Sequence, residues 1–277
     1  MYLVRGPGLP CLFGKLSEEL MSAAHKIFSK SDVWLARAPK QGARRRLFCF
    51  PFGGGGASFY RTWRNGFGDD VEVCSVQLPG RENRLKERAF THLAPLVASL
   101  MENLGPYLDI PFAFFGHSVG ALVAFEFARR LERETRNRPM HLFVSARRAP
   151  QLVNNRLARH KMPEAQFMDE VRRYKGTPEL LFQEPELLEI FLPILRSDFS
   201  ILETYEYSQG EILDCPIKVF GGTEDTEATV EDLLAWREQT RGEFRLKMFP
   251  GGHFYLKIAH DQLLLEIAKD MERHNQL

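Results

Sequence analysis

This chain of 277 residues has few cysteines, almost no excess of one charge over the other, and no long apolar runs. Its four cysteines lie far apart without a C-x-x-C pair, which argues against a zinc site and against a disulfide framework. The 37 basic and 36 acidic residues leave a formal charge of +1, so we expect no global attraction to nucleic acid or to a membrane. No uninterrupted apolar run is long enough to cross a bilayer. Partners must therefore be recognised locally.

The start of the chain has little that resembles a folded element or a secretory leader. Apolar residues occur between Met1 and Leu20, but glycines, prolines and Arg5 interrupt them, and no small-residue cleavage pattern follows. We therefore expect a cytoplasmic protein whose first segment, residues 1–43, is a partly disordered N-terminal extension. Our working hypothesis is that Met21 is the natural start and that residues 1–20 are an upstream extension.

From residue 44 onward, short runs rich in β-branched and aromatic residues alternate with longer helix-like segments. This alternation is typical of a parallel sheet flanked by helices. The runs at residues 47–50 and 112–115 are apolar throughout, as central strands buried on both faces should be. The sequence therefore predicts an α/β fold for residues 44–277. The predicted strands are residues 47–50, 71–76, 112–115, 142–145, 217–220 and 244–249. The predicted helices are residues 59–67, 93–104, 121–132, 230–239 and 262–273.

One long stretch, from about residue 151 to residue 210, interrupts the alternation because it contains no convincing strand. It offers only helical pieces, at residues 163–174, 185–195 and 198–205, and the breaker triplet Gly176-Thr177-Pro178. Such an insert is longer than a connection between two core strands needs. We interpret it as a helical lid over the carboxyl edge of the sheet. A second small helical domain with no role at the site is the alternative.

The motif Gly116-His117-Ser118-Val119-Gly120 lies between a predicted strand and a predicted helix. A tight strand-to-helix turn exposes a serine hydroxyl, and glycines on either side allow strand and helix to approach closely. In this context the pattern indicates a nucleophilic serine, Ser118. An ordinary glycine-rich turn is the alternative interpretation.

A nucleophilic serine needs a histidine base and an acid that orients it, and in this class of fold they follow the serine along the chain. His253 is the candidate base because it follows the predicted strand 244–249 in a glycine loop, whereas His260 and His274 lie in or near the final helix. The candidate acids are Asp225 and Glu224, which follow the strand 217–220. We favour Asp225, because its shorter carboxylate lies further along the turn, while Glu224 could simply cap the next helix.

The oxyanion formed during acyl transfer needs two fixed N–H donors, one from the residue after the nucleophile and one from a loop after an early strand. The first donor is the N–H of Val119. The second should come from the glycine-rich loop at residues 51–57. This loop could also cradle a phosphate, but its spacing fits neither common nucleotide fingerprint. No metal and no diffusible cofactor are required.

With these residues assembled, the chain resembles the type II thioesterases that accompany polyketide and nonribosomal peptide synthases, and the related medium-chain thioesterases of animal fatty acid synthase. The resemblance extends from about Trp34 to the C-terminus and depends on several motifs in one order. These motifs are Phe48-Cys49-Phe50-Pro51 with its glycine loop, Arg61-Thr62-Trp63, Leu78-Pro79-Gly80-Arg81-Glu82, Phe114-Phe115-Gly116-His117-Ser118, Gly176-Thr177-Pro178, Leu192-Pro193-Ile194-Leu195-Arg196-Ser197-Asp198-Phe199 and Pro250-Gly251-Gly252-His253-Phe254.

The resemblance implies an α/β-hydrolase with a helical lid that hydrolyses acyl thioesters on the phosphopantetheine arm of an acyl or peptidyl carrier protein. We also expect the protein to be a monomer. The family's catalytic residues fall on Ser118, Asp225 and His253, and its oxyanion donors on the backbone of Gly53 and Val119. The chain departs from relatives in having Val119 where methionine is common and a threonine, not a proline, after Asp225.

Two other functions remain open from the sequence. A general carboxylesterase or lipase would use the same three residues, and a non-catalytic docking protein would bind carrier domains through the lid. The intact set of nucleophile, acid and base argues against a pure docking protein. A basic cluster near residues 129–138 could attract an acidic carrier, although neighbouring glutamates make a solvated helix end the simpler interpretation.

Overall fold

The computed structural model describes residues 32–39, 42–152, 158–177 and 179–273. Its centre is a six-stranded sheet in which every neighbouring pair of strands is parallel. The strand order is β2-β1-β3-β4-β5-β6. The predicted α/β fold is therefore confirmed. The strands are β1 (Arg45–Phe50), β2 (Val71–Ser75), β3 (Phe112–His117), β4 (His141–Ser145), β5 (Ile217–Gly222) and β6 (Phe244–Phe249).

Strands β1 and β3 are buried at every position, because side chains on both of their faces enter a core. Alternate residues point to opposite faces, so Phe48 and Phe114 belong to one apolar cluster while Leu47 and Phe115 belong to the other. Helices cover both faces of the sheet. They are α1 (Leu93–Leu104), α2 (Val119–Thr135), α3 (Glu164–Arg173), α4 (Glu179–Gln183), α5 (Pro185–Glu203), α6 (Val230–Leu234) and α7 (His260–Arg273).

Two predicted helices were wrong in their length or type. Residues 59–67 form no α-helix; the 3-10 helices Ala57–Tyr60 and Trp63–Gly66 occupy this region. Polar and glycine residues favour turns there, and buried Tyr60 donates its hydroxyl to the Phe50 carbonyl at 2.8 Å. The helix predicted at residues 230–239 is an α-helix, α6, only as far as Leu234. The 3-10 helix Ala235–Gln239 follows it. In this 3-10 helix the Trp236 indole donates a hydrogen bond to the Arg147 carbonyl at 2.6 Å.

The described residues between 151 and 210 form α3, α4 and α5, with the 3-10 turn Arg159–Lys161, and contain no strand. Helix α5 is continuous where two helices were predicted, and Pro193 lies inside it. It persists past the proline because its second half is held in the interior by buried Ile194, Leu195 and Phe199. Phe199 and Leu195 also pack with Phe167 and Val171 in a small separate cluster. We call residues 158–203 the helical insert.

The described residues before β1 also contribute to the core. Trp34 and Leu35 are buried, the Trp34 carbonyl accepts a hydrogen bond from Gln77 at 2.8 Å, and the Arg84 guanidinium lies 4.4 Å from the Trp34 ring centroid. Residues 1–31, 40 and 41, including Met21, lie outside the described residues. Within the described part of the chain, no helix has the length and apolar character to cross a membrane.

Candidate active site

The site lies where the order of the strands reverses. The chain passes from β1 outward to β2 and then returns to place β3 on the other side of β1. In open parallel sheets a ligand crevice forms at such a switch point, beyond the carboxyl ends of the two strands. Here those ends lead into the glycine loop at residues 51–57 and into Ser118, and Phe50 pairs with Gly116. The predicted oxyanion loop and the predicted nucleophile are therefore neighbours.

Ser118 occupies a strained turn between β3 and α2. Its φ of 55° and ψ of −116° lie outside the regions that a serine usually adopts, and its N–H is held by the Ser145 carbonyl at 2.8 Å. A Cβ at Gly116 would collide with the backbone of Gly120, and a Cβ at Gly120 would collide with the carbonyl oxygen of Phe50. The turn therefore needs glycine at both positions, and it leaves Ser118 partly exposed.

The two predicted N–H donors lie at this turn and at the adjacent loop. Val119 is the first residue of α2, so its N–H is one of those that the helix leaves without an internal partner, and the helix dipole favours negative charge there. In the loop, the Gly54 N–H donates to Asp198 at 2.8 Å and the Gly55 N–H to the Phe52 carbonyl at 2.9 Å. The N–H of Gly53 takes part in neither bond.

The candidate acid and the candidate base are in direct contact. His253 Nδ1 lies 2.8 Å from Asp225 Oδ2, and both side chains are almost fully buried. The second oxygen of Asp225 accepts the Glu227 N–H at 2.8 Å, which fixes the carboxylate. Glu224 is exposed, so the structure brings Asp225 and not Glu224 to the imidazole. His253 Nε2 is buried and has no hydrogen-bond partner among the described residues, which leaves it available to a serine proton.

The loop that carries His253 crosses back over the edge of the sheet. Strand β6 is three strands away from β3, a separation of roughly 14 Å at the usual strand spacing. The loop approaches the end of β5 so closely that a Cβ on Gly222 would strike the Gly252 carbonyl. It brings the His253 ring centroid to 5.2 Å from that of His117, beside the nucleophile. Residues 250–253 therefore bring His253 beside His117, the residue that precedes Ser118.

A second hydrogen-bonded chain lies beneath the first, and the sequence did not reveal it. His117 Nδ1 lies 2.8 Å from Ser145 Oγ, which lies 2.6 Å from the Tyr255 hydroxyl. Burial lowers the pKa of His117 well below its usual value, and the nearby His253 contributes in the same direction. His117 is therefore neutral at pH 7. The chain links His117, the residue before Ser118, to Tyr255 in the segment that follows His253.

The helical insert touches the loops that carry the acid and the base. The Tyr174 ring centroid lies 5.3 Å from that of His253, and the Tyr174 hydroxyl donates to Glu227 at 2.9 Å. Gly176 leaves space for the Phe254 ring, which a Cβ would strike, and its carbonyl accepts the Lys257 ammonium at 2.7 Å. The insert therefore lies against the candidate site. Among the described residues, no cluster of His, Cys, Asp and Glu could hold a metal ion.

A parallel sheet that presents a serine turn after β3, an acid after β5 and a histidine after β6 has the arrangement of the α/β-hydrolases. A family model described as the thioesterase domain matches residues 45–273. The chain belongs to this thioesterase family, and it is a hydrolase that acts on acyl thioesters.

Three relatives illustrate the relationship. The gramicidin S biosynthesis protein GrsT of Aneurinibacillus migulanus is 46% identical over 246 residues, which cover 88% of this chain and 96% of that protein. The medium-chain S-acyl fatty acid synthase thioesterase of Homo sapiens is 34% identical over 80% of this chain and 84% of its own length. The solved structure of the type II thioesterase BorB, from the borrelidin biosynthetic cluster, covers 88% of this chain and 100% of that chain with a TM-score of 0.80 and 36% identity.

Proposed function

We propose that this protein hydrolyses acyl thioesters carried on the phosphopantetheine arm of an acyl or peptidyl carrier protein, and that it edits or releases chains in a polyketide, nonribosomal peptide or fatty acid pathway. The names of its relatives, which belong to gramicidin S and borrelidin biosynthesis and to fatty acid synthase, support this substrate class. Its free, buried cysteines at 49, 74 and 215 agree with the cytoplasm, where carrier-dependent synthesis occurs. The monomeric state stays a prediction.

The proposed reaction is acyl transfer in two steps. His253 Nε2 takes the proton of Ser118, the serine oxygen attacks the thioester carbonyl, and the backbone N–H groups of Gly53 and Val119 stabilise the tetrahedral oxyanion. Asp225 holds the imidazole in the required tautomer and stabilises its cationic form. His253 then donates its proton to the departing thiol. Water, deprotonated by His253, attacks the acyl-serine ester and releases the carboxylic acid.

The main structural support for this mechanism is the contact between Asp225 and His253. The pair is buried, its hydrogen bond measures 2.8 Å, and the opposite ring nitrogen has no hydrogen-bond partner in the described part of the chain. The helical insert adds a further argument, because its contacts with His253 and Phe254 support the role of a lid over the acyl site.

The choice of acid gives a direct prediction. Asp225→Asn should lower kcat about 10⁴-fold, because an amide that donates to Nδ1 favours the wrong tautomer of His253. Glu224→Gln is the matched control, one residue away and exposed, and it should stay within about twofold of the parent. Steady-state kinetics on one acyl thioester at saturating concentration measures both. Equal losses in the two variants would disprove the assignment.

The substrate class is tested with a panel of matched compounds. The same acyl groups are loaded on a phosphopantetheinylated carrier protein and on coenzyme A, and are also prepared as oxygen esters. We expect kcat/KM to be at least tenfold higher on the carrier-bound thioester, because the carrier adds contacts that coenzyme A lacks. Faster turnover of the oxygen ester would identify a general esterase. Binding of the carrier without hydrolysis would identify a docking protein.

A further inference from the structure

A buried ion pair connects the helical insert to the loop that holds Gly53. Arg81 Nη1 and Nη2 donate to the two carboxylate oxygens of Asp198 at 2.9 and 2.8 Å. The side chains are 5% and 1% exposed, so the pair is almost completely removed from solvent. Asp198 lies in the second half of α5, while Arg81 follows β2. The two residues are 117 positions apart in the chain.

Both members of the pair also hold the backbone of the glycine loop. Asp198 Oδ2, the oxygen that accepts from Arg81 Nη1, accepts the Gly54 N–H at 2.8 Å as well. Arg81 Nη1 donates in addition to the Gly55 carbonyl at 2.9 Å. The pair therefore binds the loop at two backbone groups, the N–H of Gly54 and the carbonyl of Gly55, in the two residues that directly follow Gly53.

A neutral side chain completes the attachment of the loop. Gln77 Oε1 accepts the Ala57 N–H at 3.0 Å, and Gln77 Nε2 donates to the Arg81 carbonyl at 2.9 Å. Gly54 itself has a φ of +73°, and a Cβ there would strike the Leu195 side chain of α5 at 2.7 Å. The path of the loop is thus determined by groups on α5 and on the segment after β2.

We infer that Arg81 and Asp198 are positioning residues that fix the N–H of Gly53 in the direction of the reacting oxyanion. A purely stabilising role is a poor explanation, because desolvation cancels much of the attraction in a buried ion pair, and apolar residues of similar size often stabilise as well. A charged carboxylate is instead well suited to hold one N–H, that of Gly54, so that the neighbouring N–H remains free. This inference rests on the proposed acyl-transfer mechanism.

Asp198 couples the position of the helical insert to that of the oxyanion loop. Any movement of the second half of α5 would displace Asp198 and with it the oxyanion loop. The half of the helix before Pro193 has no such attachment to the loop among the described contacts, and it exposes Leu187 and Ile190. Opening of the insert that preserves the oxyanion hole must therefore leave residues 194–203 in place.

The test compares two variants that each remove one buried carboxylate charge. Asp198→Asn keeps the size of the side chain but places an amide against the Arg81 guanidinium. Asp270→Asn is the matched control, because Asp270 is 3% exposed and pairs with Lys218 at 2.7 Å, near the amino end of β5. Arg81→Lys is a second variant, in case Asp198→Asn does not fold, since it retains the charge but not the two-pronged contact.

Four quantities are measured on each folded variant: kcat and KM for a p-nitrophenyl acyl ester, the inhibition constant of an acyl trifluoromethyl ketone, and that of the corresponding acyl amide. The ketone forms a tetrahedral oxyanion on Ser118, whereas the amide binds without adduct formation. For Asp198→Asn we expect kcat to fall about 10- to 100-fold and ketone affinity to fall by a similar factor, with KM and amide affinity within about threefold. Asp270→Asn should leave all of these within about threefold of the parent while lowering the melting temperature.

A merely structural pair would give a different result. If Asp198→Asn and Arg81→Lys lower the melting temperature but retain parental kcat and ketone affinity, the inference is overturned. Loss of ketone and amide affinity in equal measure would overturn it too, because the defect would then concern the whole pocket. The ester readout does not depend on a carrier protein. A parent that cleaves the ester but no carrier-bound thioester would therefore contradict the proposed function and still allow this test.

Discussion

Ser118→Ala should lower kcat for acyl thioester hydrolysis about 10⁴- to 10⁶-fold while leaving the fold intact. The reason is that, in the proposed mechanism, the acyl-enzyme forms on Ser118. The neighbouring His117 is buried and hydrogen-bonded to Ser145 Oγ, and His253 serves as the base. The variant should still bind the substrate, since the helical insert and the oxyanion loop do not depend on the serine hydroxyl. Single-turnover kinetics with a radiolabelled acyl carrier measures the remaining rate.

Ser208→Ala is the matched control, because Ser208 is exposed and its known contact is made by its carbonyl oxygen, which accepts from Arg129. It should retain parental turnover. Intact-mass measurement of the parent during turnover should also detect an acyl adduct that Ser118→Ala lacks. Near-parental hydrolysis by Ser118→Ala, with no adduct in either protein, would mean that the reaction does not pass through an acyl-serine.

Much of the fold was predictable because its strands are short, strongly apolar runs separated by helical segments. An apolar run such as residues 112–115 can bury all of its side chains only inside a sheet that is covered on both faces. The strand β3 is indeed buried at every position. The order serine, acid, histidine that this class of fold leads one to expect directed attention to Asp225 and His253. A turn motif and two strand ends are local features, so the residues near them can be read directly from the sequence.

The features that were not predictable depend on contacts between distant segments. The continuity of α5 past Pro193 results from burial of its second half, which no local propensity records. Arg81 and Asp198 lie in two motifs that are far apart in the chain. They meet only because α5 lies near the switch point between β1 and β3. The return of the His253 loop over the end of β5 depends in the same way on the close approach of Gly222 and Gly252.

A substitution in the turn that holds Ser118 should also have a large effect, on stability as well as on activity. Gly120→Ala should destabilise the protein by about 3 kcal/mol or more and reduce the activity of any folded fraction at least 100-fold. Helix propensity alone predicts the opposite sign, because alanine in a helix is favoured over glycine by about 1 kcal/mol. At this position the added Cβ would lie 2.6 Å from the Pro51 carbonyl oxygen and closer still to that of Phe50. These are backbone atoms, so no side-chain rotation can relieve the overlap.

Relief would require α2 to move away from β1, and such a movement would carry the Val119 N–H and Ser118 away from the oxyanion loop. The steric overlap therefore outweighs the higher helix propensity of alanine, and it affects stability and catalysis together.

Gly105→Ala provides the control, because Gly105 has a helical φ of −46° and a Cβ added there would meet nothing within 4 Å. It should change the free energy of unfolding by less than about 1 kcal/mol. Urea unfolding curves of the two variants, with kcat measured below the unfolding transition, distinguish them. Equal stability of Gly120→Ala and Gly105→Ala would contradict the close approach of α2 to β1 on which the nucleophile turn depends.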